Sequence, residues 1–268
     1  MSRLGVIGNI SRDTAEHPGQ HRHLLGGAAL YISLAAARAG VSAAPVSVIG
    51  NDLADALRLP QLTLLDLTAI AVADQPSCSF HLRYDRQGAL IAVDAIYGAA
   101  DQLTTHALEH LHRFEHVHVC CRRPLDPVPV LAALVERRQP FSVDFITASA
   151  ADMITATAPY LRHARTVCTD IGEYAILTGA VPADHLRAVT VTDGPRPAVL
   201  YRHGEVAART PVQPAVVIEV TGAGDTFTGT FLAATLQGVP ETLALSRATQ
   251  AATRRIATAG ITLHPQPP

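Results

Sequence analysis

The segment Val220-Thr221-Gly222-Ala223-Gly224-Asp225-Thr226-Phe227 has the residue types and spacing best suited to chemistry. An apolar, strand-like run from Val216 to Val220 leads into small residues, and a long helix is predicted from Gly224 to Gln237. Glycines let successive backbone N–H groups converge on one point. A helix N-terminus adds unsatisfied donors and about half a positive charge. Such a turn binds an anion with main chain alone. Asp225, in the first turn, is then out of place, because a carboxylate beside a phosphate is repelled unless it has a chemical task. Accepting the proton of an attacking hydroxyl is such a task. The segment alone also admits a plainer reading, an acidic residue favoured at a helix start by the dipole.

An absence sharpens the argument. The chain has no lysine, so all 21 of its basic residues are arginine. A Walker A loop and a protein-kinase site both need a lysine on the nucleotide phosphates, so neither design is available. Any phosphate chemistry here must rest on main-chain amides or arginine.

The elements that would position these residues follow from the apolar runs. Arg3–Ile7 and Ala44–Ile49 read as buried strands on either side of an alanine-rich helix, Ala28–Ala39, closed by Gly40. Strand, helix, strand in that order predicts a parallel sheet with right-handed crossovers. Polar, turn-prone residues fill Ser11 to His23. Ser79–Tyr84 and Ala89–Ala95 alternate apolar and polar residues around Asp85-Arg86-Gln87-Gly88, which predicts a hairpin with one wet face. Further strands are predicted at His116–Cys121, Phe141–Phe145, Thr166–Thr169, Ala188–Thr192, Ala198–Tyr201 and Glu205–Ala208. Helices are predicted at Pro127–Arg138, around Glu173 and over Glu241–Ala259, with a frayed Pro-rich tail after Leu263. The fold class is α/β: one domain over residues 1–268, a doubly wound, mostly parallel sheet with a small β lid built from segments 11–25 and 79–97.

Composition excludes several classes. A net charge of -2 leaves no electrostatic footprint for nucleic acid. No apolar run approaches the ~20 residues of a membrane span, and the N-terminus lacks a signal-peptide core, so a cytoplasmic location is expected. Cys78, Cys120, Cys121 and Cys168 form no C-x-x-C pair and read as reduced core residues. The histidines at 106, 110, 112, 116 and 118 lack a carboxylate or cysteine partner at metal-site spacing and read as solvated or strand-edge residues.

With these motifs in view, the sequence resembles the ribokinase-like carbohydrate kinases, the PfkB family, along nearly the whole chain. Thr221, Gly222, Ala223, Gly224 and Asp225 look like that family's anion hole and catalytic aspartate. Gly26-Gly27-Ala28-Ala29 before a helix resembles its di-glycine signature, where backbone lies against substrate. Asp13, five residues after Gly8, sits where the family places an aspartate that binds substrate hydroxyls. Thr169-Asp170-Ile171-Gly172-Glu173 is similar to its Asn-x-x-Glu motif, whose glutamate organises Mg2+, largely through water. Thr192-Asp193-Gly194 is similar to the Thr-x-Gly turn beside the nucleotide phosphates. Taken singly these are a loop, a polar-loop carboxylate, a helix-start carboxylate and a turn. Their order, each at a strand end or helix start, places them where open α/β sheets bind ligands.

The resemblance implies an ATP- and Mg2+-dependent kinase acting on a small-molecule hydroxyl acceptor. Asp225 would be the base, Thr192 and Gly194 would meet the nucleotide, and Glu173 with Asp170 would organise the metal. Asp13, Gly26, Gly27 and Tyr31 would hold the acceptor, and a homodimer through the lid is an expectation. The departures also carry information. Asp170 replaces the family's asparagine, and Glu219-Val220 replaces its Asp-Thr. Ser11 and Tyr31 stand where ribose-binding members carry asparagine amides, a loss of on the order of 1 kcal/mol per contact that disfavours plain ribose. A sugar, cyclitol or modified-sugar acceptor is expected, with a nucleoside kinase as the alternative. A non-catalytic ligand-binding regulator and a vitamin-type kinase are the other readings. The segment after Asp52 is short for the family, so a trimmed helix is expected there.

Overall fold

The protein is described by a computed structural model that covers residues 3–85 and 90–263. Strand β1 (Arg3–Ile7) is followed by a hairpin of β2 (Ser11–His17) and β3 (Gln20–Gly26), then by helix α1 (Ala28–Arg38). β4 (Ser42–Gly50) leads into short 3-10 turns over Asn51–Arg58 and Pro60–Leu62, the trimmed helix expected there. β5 (Ile70–Ala73), β6 (Cys78–Tyr84) and β7 (Leu90–Ile96) precede α2 (Leu103–His110). Next come β8 (His116–Cys120), α3 (Pro127–Glu136), β9 (Phe141–Asp144), α4 (Ala150–Leu161), β10 (Thr166–Asp170) and α5 (Ile171–Ala180). The chain closes with β11 (Val189–Asp193), β12 (Arg196–Arg202), β13 (Glu205–Thr210), α6 (Ala223–Leu236), α7 (Glu241–Ile256) and β14 (Ile261–Thr262).

Nine strands form the larger sheet, in the order β13-β12-β11-β10-β9-β8-β1-β4-β5. It is parallel from β11 to β5 and antiparallel only at the β11-β12-β13 edge. The central strands are buried almost throughout, polar residues such as His118 and Ser142 included, because helices cover both faces, as a parallel sheet requires. One core packs β1, β4 and β8–β11 against α2–α5, and others pack α1, α6 and α7. A smaller five-stranded sheet, β14-β3-β2-β6-β7, stands beside the carboxyl edge of the larger one.

Three sequence expectations differ from the structure. Residues 11–17 and 20–26 form strands, although the run 11–23 reads only as polar and turn-prone. Their polar side chains pair across the sheet, as Thr14 does with His23 (3.2 Å) and Glu16 with His81 (2.7 Å), so no apolar alternation marks them. Val216–Val220 forms no strand: the amides of Ile218 and Glu219 both donate to the Ile256 carbonyl, and Val216 and Val220 are 81% and 67% exposed. Val217, Ile218 and Val220 line cavities instead of a ladder. Finally, Glu109 does stand with His106 and His110, the carboxylate neighbour that spacing had not suggested. Residues 86–88 of the predicted hairpin turn, Ala89 of its predicted second strand and the tail from residue 264 lie outside the described residues.

Candidate active site

Helix α6 carries the centre of the site. Its N-cap, Gly222, has a φ of 76°, left-handed backbone that a side chain would strain. A Cβ there would also meet the Tyr31 ring at 3.0 Å. Farther along, Gly229 lets α6 cross α1 closely, since a Cβ would stand 2.2 Å from the Ile32 carbonyl. These two contacts set the start of α6 against α1 and Tyr31. No side chain caps α6. The Ala223 amide donates to the Val220 carbonyl (3.1 Å), and the first intrahelical bond runs from Thr226 N–H to Gly222 O (2.9 Å). The amides of Gly224 and Asp225 therefore have no intrahelical acceptor and remain available to an anion. Ala223, expected in the cradle, turns its own amide inward.

Asp225 projects from that first turn. Burial raises its carboxyl above the usual range, Arg122 and His118 pull it back, and Asp144 pushes it up again. Arg122 lies just beyond the end of β8, with Nη1 3.9 Å from Asp225 Oδ1. Its Nη2 is anchored by Asp144 at the end of β9 and by the Phe145 carbonyl at 3.2 Å. Burial alone would raise Asp144, but Arg122 together with His118 and Cys120 holds the carboxyl below its usual range. His118 Nε2 is 3.6 Å from Asp144 Oδ1, too long for a hydrogen bond, and its Nδ1 faces Ser142 Oγ at 2.9 Å. His118, Cys120 and Asp144 stand close enough to suggest a metal, but the Arg122 guanidinium already neutralises their carboxylate.

Sequence reasoning singled out neither Arg122 nor Asp144. Two signals were present: both stand at or just past carboxyl ends of parallel strands, and a lysine-free site needs an arginine.

Two cavities meet at this corner. One, of about 640 Å3, runs from Thr192, Asp193 and Gly194 past Ala223 and Gly224 to Phe227 and Ile256. The other, of about 230 Å3, is lined by Asp13, Gly26, Tyr31, Glu219 and Thr221. Val217 and Val220 belong to both, so the strandless 216–220 segment is their shared wall.

In the smaller cavity Asp13 is buried on β2, and a Cβ on Gly26 would overlap its carboxylate. Burial pushes its carboxyl up to about 6, against the moderating Ser11 side chain and Phe80 backbone. Asp13 Oδ1 and Ser11 Oγ are buried without a hydrogen-bond partner, an arrangement that a hydroxylated ligand would complete. Gly27 (φ 104°) brings the start of α1 so near the loop after β1 that a Cβ would lie 2.2 Å from the Asn9 carbonyl. Tyr31 directs its phenol to the Leu25 carbonyl (3.3 Å), so it offers the cavity its ring more than its hydroxyl.

Behind the shared wall, Glu219 accepts from Arg255 Nη2 (3.2 Å) and from the Gly260 amide (2.8 Å). Arg255 also donates to the Thr258 carbonyl (2.8 Å) and stacks on Tyr31, with Cζ 5.3 Å from the ring centroid. The Glu219 departure noted in the sequence is therefore one half of a buried ion pair.

Asp170 and Glu173 close a capping box at the start of α5. Asp170 Oδ1 accepts from the Glu173 amide (2.7 Å), and Glu173 Oε2 accepts from the Asp170 amide (2.9 Å). Thr147 Oγ1 reaches both carboxylates. Burial first, then Asp170 and Asp144, raises the Glu173 carboxyl, while its bond from the Asp170 amide and Arg122 oppose the rise. This all-oxygen set has no ion-pair partner among the described residues and could hold a hard cation such as Mg2+.

Comparison with known proteins settles the lineage. The pattern of the pfkB family carbohydrate kinases matches residues 6–267. The chain belongs to the PfkB family. It is a phosphotransferase that uses a hydroxyl acceptor, a carbohydrate or nucleoside kinase in the broad sense. It is 28% identical to the fructosamine kinase FrlD of Bacillus subtilis over 85% of this chain and 82% of that protein. It is 25% identical to a cytidine kinase of Thermococcus kodakarensis over 90% of this chain and 91% of that protein. The Burkholderia thailandensis nucleoside kinase, solved in complex with inosine, shares the fold with a TM-score of 0.85. That match has 20% identity and covers 97% of this chain and 92% of the other. Among the described residues no helix of this PfkB-family chain is long and apolar enough to cross a membrane.

Proposed function

We propose that this protein transfers the γ-phosphate of ATP to a hydroxyl of a sugar, cyclitol or modified sugar, with Asp225 as the general base. The observation that carries the reading is the placement of Asp225 and the amides beside it. They stand at the start of α6, where a nucleotide-sized cavity and a smaller cavity with a buried carboxylate share one wall. The larger cavity suits adenosine, with the triphosphate along Thr192, Gly194 and the Gly222–Gly224 turn. The smaller one falls below the ~300–1,000 Å3 typical of drug-sized ligands, which favours a sugar-sized acceptor over a nucleoside. Asp13 and the Gly26-Gly27 backbone bind acceptor hydroxyls.

Asp225 takes the proton as the acceptor oxygen bonds to the γ-phosphorus and the bond to the β-bridging oxygen breaks, releasing ADP. The amides of Gly224 and Asp225 and the Arg122 guanidinium face the charge that develops, which positions and stabilises without covalent help. Asp170 and Glu173 would hold Mg2+ through water, and the ion would supply charge neutralisation to the phosphates. The smaller sheet acts as the lid over the acceptor and excludes water when closed. Two copies pairing through exposed apolar residues of β7, Ile91, Val93 and Ile96, belong to the same proposal.

The test is ADP release from Mg-ATP with a panel of polyols, sugars, cyclitols, ketosamines and nucleosides, alongside a thermal-shift screen of the same compounds. Sugar-type acceptors should release ADP faster than nucleosides. A nucleoside kinase is the second reading, favoured by the cytidine-kinase relative, and higher kcat/KM on nucleosides would establish it instead.

A further inference from the structure

The inner face of the smaller sheet grades from polar to apolar to cationic along the acceptor cavity. On β2 and β3, Asp13 lies opposite Leu24 and Ala15 opposite Arg22, and β6 sets Leu82 beside Ala15. Directly paired residues project to the same side of a sheet. All five line the acceptor cavity, with Val217 and Ile218 across from them. Arg22 is thus two residues, ~7 Å along the strand, farther out than Asp13. It is exposed and, among the described residues, has no ion-pair partner. Of the nearby carboxylates, Glu219 is committed to Arg255 and Glu16, on the opposite face, to His81, while Asp13 lies two residues deeper in the cavity. An arginine needed only for solubility would sit with Arg12 and Glu16 on the outer face. Arg22 instead interrupts an apolar inner face at the mouth of a ligand cavity.

We propose that the acceptor is an anionic conjugate, with a hydroxylated head bound at Asp13, a short apolar stem along Ala15, Leu24 and Leu82, and a carboxylate or equivalent anion read by Arg22. This deepens the kinase reading and rests on it. A sugar joined to an amino acid has this layout, and so does a sugar acid of sufficient length. A neutral nucleoside does not. A planar guanidinium suits a carboxylate through paired N–H donors. Because Arg22 is exposed, its contribution is screened by salt.

The experiment uses the full chain with Mg-ATP and acceptors matched in the head but not in tail charge. The pairs are the N-(1-deoxyfructos-1-yl) derivatives of glycine and of glycinamide, and gluconate with sorbitol. Nucleosides and cyclitols complete the set. For pairs that turn over, the anionic member should have about 10-fold higher kcat/KM, expressed in KM, and the ratio should shrink in 0.5 M NaCl. In Arg22→Gln the ratio of anionic to neutral acceptor should fall to near one, and Arg22→Lys should restore part of it, which a folding defect would not do. A ratio near one in the unaltered protein, a ratio unchanged in Arg22→Gln, or a neutral nucleoside as the best acceptor would each overturn the inference. ADP release with neutral sugars but no preference for anions leaves the kinase reading standing while this one fails. No ADP release from any acceptor counts against both.

Discussion

Arg122 sits between two carboxylates, held by Asp144 and 3.9 Å from Asp225, in a site with no lysine. Its charge opposes the burial that raises Asp225. The other charged or titratable groups that bear on Asp225 are Asp144 on β9, His118 on β8 and Arg255 on α7. Replacing Arg122 with glutamine removes the neighbouring cation, so the Asp225 carboxyl should rise further. The acidic limb of the pH–kcat profile should move to higher pH, with kcat falling ~10-fold or more and the KM for ATP changing less. Arg122→Lys should restore part of the limb's position. A profile that keeps its shape while activity drops would reduce Arg122 to a structural role.

Asp13 gives a stability counterpart. Its carboxyl is raised from the ordinary 3.8 to about 6. The folded form binds that proton more tightly than the unfolded chain, so the associated stability is present below about pH 4 and lost as pH rises through 6. Asp13→Asn keeps the shape without the charge. It should be more stable than the parent by on the order of 2–3 kcal/mol at pH 8, with a smaller gain at pH 5, while the acceptor KM rises. Thermal melts at the two pH values check the sign.

Among the elements, the segment 212–220 shows how a sequence signal can be sound and its interpretation wrong. The run Val216 to Val220 has strand composition, yet it faces two cavities and hangs from the Ile256 carbonyl and the Glu219–Arg255 pair. Nothing local distinguishes an apolar residue kept for a ligand from one kept for a core. Conversely, β2 and β3 carry mostly polar residues, and Ala15, Leu24 and Leu25 are too few to show an alternation in the sequence. The Glu219–Arg255 pair is the latch that holds this wall, and Arg255 is mostly buried. Glu219→Ala leaves that guanidinium without its counter-charge. The cost should be about 3 kcal/mol, seen as a lower Tm, with KM raised for both substrates because the wall is common to both. An unchanged Tm would show that the pair is not load-carrying for the fold.

At the level of the whole molecule, a parallel sheet gathers distant residues by bringing its carboxyl ends to one edge. That is why Thr192, Asp170 and Glu173, read only as motifs at strand ends, fall at the same edge as α6. The apolar runs of β1, β4 and β8–β11 were legible because those strands are buried on both faces. β5 and α4 were not singled out, and neither were Arg122 and Asp144. An arginine two residues past a strand carries no mark of what it will touch, and its meaning comes from β8 and β9 lying side by side. The central claim is that main-chain amides at the start of α6 hold the transferred phosphoryl group while Asp225 accepts the proton. The most direct test is single-turnover phosphoryl transfer by Asp225→Asn, with nucleotide affinity measured on the same sample. Transfer should slow by ~100-fold or more while the Kd for Mg-ATP stays within a few-fold; near-normal transfer by that variant would contradict the account.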